Sequence, residues 1–93
     1  MSAAYVKVTA DGAIGTSGTP KVIYGLHIVS GGSAGTVVLR NGTSTADAAV
    51  FSCVGVAGEG NYFSFSPGVV FPAGCYYDED ANVSHALVIY REL

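Results

Sequence analysis

Hydrophobic and polar residues alternate along much of this chain with a period of two, the spacing of a strand that buries one face. Residues 61–66, NYFSFS, show it most cleanly, with Phe63 and Phe65 on one side and Tyr62, Ser64 and Ser66 on the other. Pro67-Gly68 then reads as a turn, because proline presets φ at the first central position and glycine accepts positive φ at the second. Val69, Val70 and Phe71 form a short apolar run that ends in a second turn, Phe71-Pro72-Ala73-Gly74. The unit predicted for residues 60–77 is a β meander.

The same pattern extends in both directions. Residues 3–10, AAYVKVTA, set Tyr5, Lys7 and Thr9 against Val6 and Val8, and Asp11-Gly12 closes them with a turn dipeptide. Residues 11–20 hold Gly, Thr, Ser and Pro around a lone Ile14 and are predicted as a surface loop or arm. Residues 21–30, KVIYGLHIVS, are nearly all apolar, with Val22, Tyr24, Leu26 and Ile28 facing one way and Ile23, His27 and Val29 the other. Such a strand is expected to be covered on both faces. Gly31-Gly32-Ser33-Ala34-Gly35 joins it to TVVLR at 36–40 as a hairpin, and Asn41-Gly42 gives a further turn. An apolar strand at 48–56 puts Phe51 and Cys53 on one face, and an acidic connection at 78–82 leads to a closing strand with Val83, His85, Leu87 and Ile89 on one side. No window of 12 residues shows helical spacing, and the 13 glycines argue against helices. The prediction is an all-β chain: one domain over residues 1–93, a compact antiparallel β-sandwich of jelly-roll type with seven or eight strands. Phe51, Phe63, Phe65 and Leu87 are the predicted core.

Composition turns this fold toward assembly. The chain is 49% hydrophobic and only 12% charged, where soluble domains carry about 25%. A chain of 93 residues has a thin core and a large surface, and its four basic and seven acidic side chains cannot cover that surface. Contact with other copies or a larger body is therefore expected, with Tyr5, Tyr62, Tyr76, Tyr77 and Tyr90 as candidate interface residues. A net charge of -3 with Lys7, Lys21, Arg40 and Arg91 scattered excludes a nucleic-acid footprint. No apolar run approaches the ~18 residues of a membrane span, and no basic stretch leads into an apolar segment at the N-terminus. The expectation is a soluble chain made in the cytoplasm, with Cys53 and Cys75 as buried free thiols.

Motifs with catalytic or metal-binding form have plainer readings in this chain. Residues 31–35, GGSAG, match the G-x-S-x-G elbow in letters, but the next segment is a strand where that motif needs a helix. His27 and His85 lie mid-strand without a sequence-adjacent ligand partner, which favours packed histidines over a base or a metal ligand. Asp78-Glu79-Asp80-Ala81-Asn82 opens like a calcium loop, yet Val83 and Ile89 stand where that loop needs Gly and Glu. Asn41-Gly42-Thr43 and Asn82-Val83-Ser84 match the glycosylation sequon, relevant only in a secretory pathway. The six tyrosines suit sugar stacking as well as subunit packing. No catalytic, cofactor or metal residue is predicted, and the chain is read as non-enzymatic.

Where Phe71-Pro72-Ala73-Gly74-Cys75-Tyr76-Tyr77 runs toward Ala86-Leu87-Val88-Ile89-Tyr90-Arg91-Glu92-Leu93, the chain resembles the small virion structural proteins of tailed bacteriophages. The resemblance covers residues 21–93: VIYGLHIVSGG, TVVLRNGTS, AVFSCV, the aromatic-Pro-x-Gly turn and the IYREL ending. It implies a virion component made in the host cytoplasm. Its role would be that of a capsid cement or decoration protein, bound to the major capsid protein or another virion protein and self-associating, with a trimer favoured by the symmetry axes of shells. The alternative is a receptor- or glycan-binding fibre or spike domain, or a head–tail adaptor.

Overall fold

The computed structural model describes residues 3–93. Among them there are eight strands and no helix: β1 (Ala4–Val8), β2 (Gly12–Ala13), β3 (Lys21–Ser30), β4 (Thr36–Asn41), β5 (Ala49–Val54), β6 (Gly60–Phe71), β7 (Cys75–Glu79) and β8 (Val83–Glu92). They build two four-stranded antiparallel sheets, ordered β1-β8-β3-β6 and β2-β7-β4-β5. Successive strands alternate between the sheets except at β4 and β5, which pair as a hairpin. This is the jelly-roll order of two interlocked Greek keys.

Two expected local units are corrected by that order. The loop 31–35 crosses from one sheet to the other, and so does the turn after β6, so neither the β3–β4 hairpin nor the meander forms. Turn residues reveal that a chain reverses, but they do not say whether the next strand lies beside the last or across the core. Pro67-Gly68 makes no reversal either. Opposite β3 the register jumps from Ile23↔Val69 to Gly25↔Ser64, leaving an irregular stretch of β6 around Pro67 and Gly68. Gly68 sits at φ 125°, open only to glycine at little cost. Because β6 is an edge strand, the missing N–H of Pro67 leaves no gap in a ladder.

The irregularity also resets which way β3 faces. Ile23, Leu26 and Ile28 point inward, and Gly25, His27 and Val29 point outward, so the single alternation expected over 21–30 breaks at Tyr24. The inward set packs on Val37, Leu39, Phe71, Tyr77, Ala86 and Val88, all fully buried. Phe51, Phe63 and Phe65 pack against this cluster while remaining partly exposed. Phe51 of β5 and Phe65 of β6 stack with ring centroids 4.3 Å apart, tying the edge strands of the two sheets together.

Leu87, predicted in the core, is not part of it. It pairs with His27 between the inward residues Ala86 and Val88 and therefore faces out. In a run reading Ala-Leu-Val-Ile-Tyr both faces are apolar, and a phase error of one residue exchanges them. The segment 11–20 is a loop rather than a free arm. Its Gly12–Ala13 pairs with β7, and Ile14 enters the core at 2% exposure.

Lys21 is fully buried at the start of β3. Its ammonium donates to the carbonyls of Thr16 and Thr19 and to the Thr19 hydroxyl, and it pairs with a Glu92 carboxylate oxygen at 3.1 Å. Thr16 Oγ1 donates to the same carboxylate. A buried ammonium persists only when charge and donors are satisfied in this way. The network fastens the loop after β2 to the end of β8.

Candidate functional site

Some of the outward residues of β1-β8-β3-β6 make an apolar groove. In the ladder, Tyr5 of β1 lies opposite Ile89 of β8 and Lys7 opposite Leu87. Leu87 lies opposite His27 of β3, and His27 opposite Tyr62 of β6. All these side chains project from one face, because their neighbours in sequence point into the core. Tyr5, His27, Tyr62, Leu87 and Ile89, with Ala3 and Ala4, enclose an open groove of about 580 Å³, with Tyr5 on one flank and Tyr62 on the other. Tyr5 is 75% exposed and Tyr62 56%.

Two glycines shape the far wall. Tyr62 lies across the backbone of Gly25, where an added Cβ would come 2.8 Å from Tyr62 Cζ. His27 lies across Gly60 in the same manner, its Nε2 2.7 Å from where a Cβ would stand. Each ring occupies the space that a glycine vacates on the neighbouring strand, which holds the two rings against the sheet. Beyond the groove, Arg91 Nε donates to the Tyr24 hydroxyl at 3.1 Å on the same face.

The expected interface tyrosines divide three ways. Tyr5 and Tyr62 meet at the groove. Tyr76 lies on the outer side of the other sheet, between Ala13 and Arg40. Tyr77 is interior: it is fully buried, and its hydroxyl donates to Glu79 Oε1 at 2.8 Å, so burial and that carboxylate push the phenol well above its ordinary range. Tyr90 packs inward against the core. Alternation explains the failure, since in Cys75-Tyr76-Tyr77 only one of two adjacent tyrosines can face solvent. The groove residues His27, Leu87 and Ile89 were missed as surface residues. The signal that could have found them is the second apolar face of residues 21–30.

Other chemistry-bearing residues serve the fold. Asp80 accepts from the backbone N–H groups of Thr36 and Asn82, and Asp78 accepts from Arg40 at 3.0 Å. Among the described residues, no three His, Cys, Asp or Glu side chains are grouped to hold a metal ion. Cys53 and Cys75 are buried free thiols on β5 and β7; burial raises both, Cys75 to about 12. Asp47 accepts from the N–H groups of Thr43 and Ser44, which holds its carboxyl below the ordinary range and closes the turn after β4. Comparison with known protein families, with characterised proteins and with solved structures finds no match to this chain.

Proposed function

We propose that this chain is a non-enzymatic structural protein of a tailed-phage particle, a capsid cement or decoration protein that docks its β1-β8-β3-β6 face on the shell. The carrying observation is the apolar groove on that face with Tyr5 and Tyr62 standing exposed beside it. Aromatic anchors around an apolar depression, with few charges, are the makeup of the centre of a protein interface. The jelly roll recurs among viral capsid domains, which supports the reading by analogy of fold. The resemblance over residues 21–93 supports it independently. The partner is the major capsid protein or another virion protein, and the protein self-associates as a trimer at a local symmetry axis.

Mass spectrometry of gradient-purified particles tests the placement. The protein should be present in a fixed ratio to the major capsid protein, and its absence from purified particles refutes the reading. A second reading is favoured by one observation: the two exposed tyrosines flank an open groove that a pyranose ring could enter, as in a glycan-binding fibre or spike domain. A monomer at micromolar concentration that binds a glycan array and is missing from capsids would establish it.

A further inference from the structure

We infer that the surface received by the β1-β8-β3-β6 face is an acidic protein patch that presents an apolar side chain to the groove, an inference that rests on the docking role proposed above. It comes from a separation of charge across the sandwich. Lys7 and Arg91 project from this face together with His27 and His85, and no outward position on its four strands holds Asp or Glu. The other two cations are engaged elsewhere, Lys21 with Glu92 and Arg40 with Asp78. The carboxylates of Asp11, Asp78, Glu79 and Asp80 belong to the opposite sheet and its connections, and Asp47 closes a turn there. The one exposed carboxylate at the margin of this face, Glu59, stands on the loop that enters β6, at the end of the sheet away from Arg91. In a protein of net charge -3, this face is the locally positive one.

The cations also stand in the right place. Lys7 lies beside Leu87 in the ladder, and Arg91 lies two residues beyond Ile89 on the same side of β8. Positive charges at the rim of an apolar depression steer and orient an acidic partner, while the depression supplies most of the affinity. A basic partner would be repelled. Nucleic acid would release only about two counterions here, far fewer than the 6–10 phosphate contacts of a strong binder.

The test is an amide NMR titration of the labelled protein with the capped peptide Glu-Glu-Leu-Glu-Glu, its all-Gln version and its central-Ala version. Shifts should centre on Tyr5, His27, Tyr62, Leu87 and Ile89. At low salt the acidic peptide should bind about tenfold more tightly than the Gln version, an advantage that shrinks at 0.15 M salt, where the screening length is about 8 Å. Lys7→Gln combined with Arg91→Gln should remove the advantage without altering the unfolding midpoint by more than a few degrees. Leu87→Ser should weaken all three peptides. Equal binding of the Glu and Gln peptides overturns the acidic partner and leaves the docking face standing. Binding unaffected by Leu87→Ser, or no shifts with any peptide, overturns both. Should a uronic-acid oligosaccharide shift the same amides while the peptides do not, the protein partner is overturned in favour of an acidic glycan.

Discussion

Leu26 and Leu87 offer a controlled test of which face of the β1-β8-β3-β6 sheet is inside. Leu26 is fully buried and lies opposite Val88; Leu87 lies opposite His27, one ladder position away, and is half-buried at the groove. Truncating each to alanine removes the same atoms, so effects on the unfolded chain largely cancel. For Leu26→Ala the lost transfer energy is about 2.4 kcal/mol at ~0.8 kcal/mol per methylene. The enclosed cavity left behind raises the total to about 3–5 kcal/mol. Leu87→Ala leaves no enclosed cavity and loses only the transfer of its buried part, about 1.5–2 kcal/mol. Against a total stability of about 5–14 kcal/mol for a chain of this length, the first loss is a large fraction and the second about half as large. At about 4–8 °C per kcal/mol, the same for both variants, Leu26→Ala lowers Tm by at least ~12 °C and by about twice as much as Leu87→Ala does. Urea unfolding followed by tyrosine near-UV circular dichroism should show the same separation at unchanged slope. Equal destabilisation by the two substitutions would refute the facing assigned to β8, and with it the groove.

Other expectations are more local. The Phe51–Phe65 stack should give a coupling of about 0.5–1.5 kcal/mol in a double-mutant cycle to leucine, and a coupling near zero means the edge strands are joined by other contacts. Hydrogen bonds from Lys21 and Thr19 hold the Glu92 carboxyl below its ordinary value of 4.5. A carboxyl depressed in the folded state contributes stability that is present above 4.5 and is lost as pH falls through the lower folded value; Glu92→Gln should flatten that acid limb, and an unchanged limb refutes the assignment. Cys53 and Cys75 should resist a thiol reagent in the native protein at pH 8 and react together on unfolding, whereas fast native labelling of Cys75 contradicts its burial.

Fold class was legible because it depends on features that survive without knowledge of the partner strand: period-two alternation, punctuation by Gly, Pro and Asn, and the absence of helical spacing. Phe63 and Phe65 were placed on the correct face of β6 because Tyr62, Ser64 and Ser66 mark the other face unambiguously. Strand order was not legible, since the same loops serve a meander and a jelly roll. Facing failed where both sides of a strand are apolar. In β8 the inward Ala86 and Val88 are no more hydrophobic than the outward Leu87 and Ile89, so hydropathy alone cannot choose between them. In β3 the break at Tyr24 shifts the alternation partway along, and nothing local in KVIYGLHIVS announces it except Gly25. The site was hidden by the same ambiguity: an apolar outer face and an apolar core look alike until the second sheet shows which side it covers.

Lys21 sharpens the argument from composition. A lysine at the start of a strand reads as solvent-facing, yet this one is withdrawn completely and matched by two carbonyls, a hydroxyl and Glu92. Arg40 is held by Asp78 through both Nε and a terminal nitrogen. A chain already poor in charge therefore uses half of its Lys and Arg residues on internal connections, one clamping the loop after β2 and the other bridging β4 to β7. What remains for the exterior is Lys7 and Arg91, and the fold puts both on one face, beside the apolar groove and away from the carboxylates of the other sheet. Scattered in sequence, these two charges look incidental. Brought to one side of a sandwich whose carboxylates lie mostly on the other, they define a direction of approach, because two cations beside an apolar groove bias the local potential toward an acidic partner.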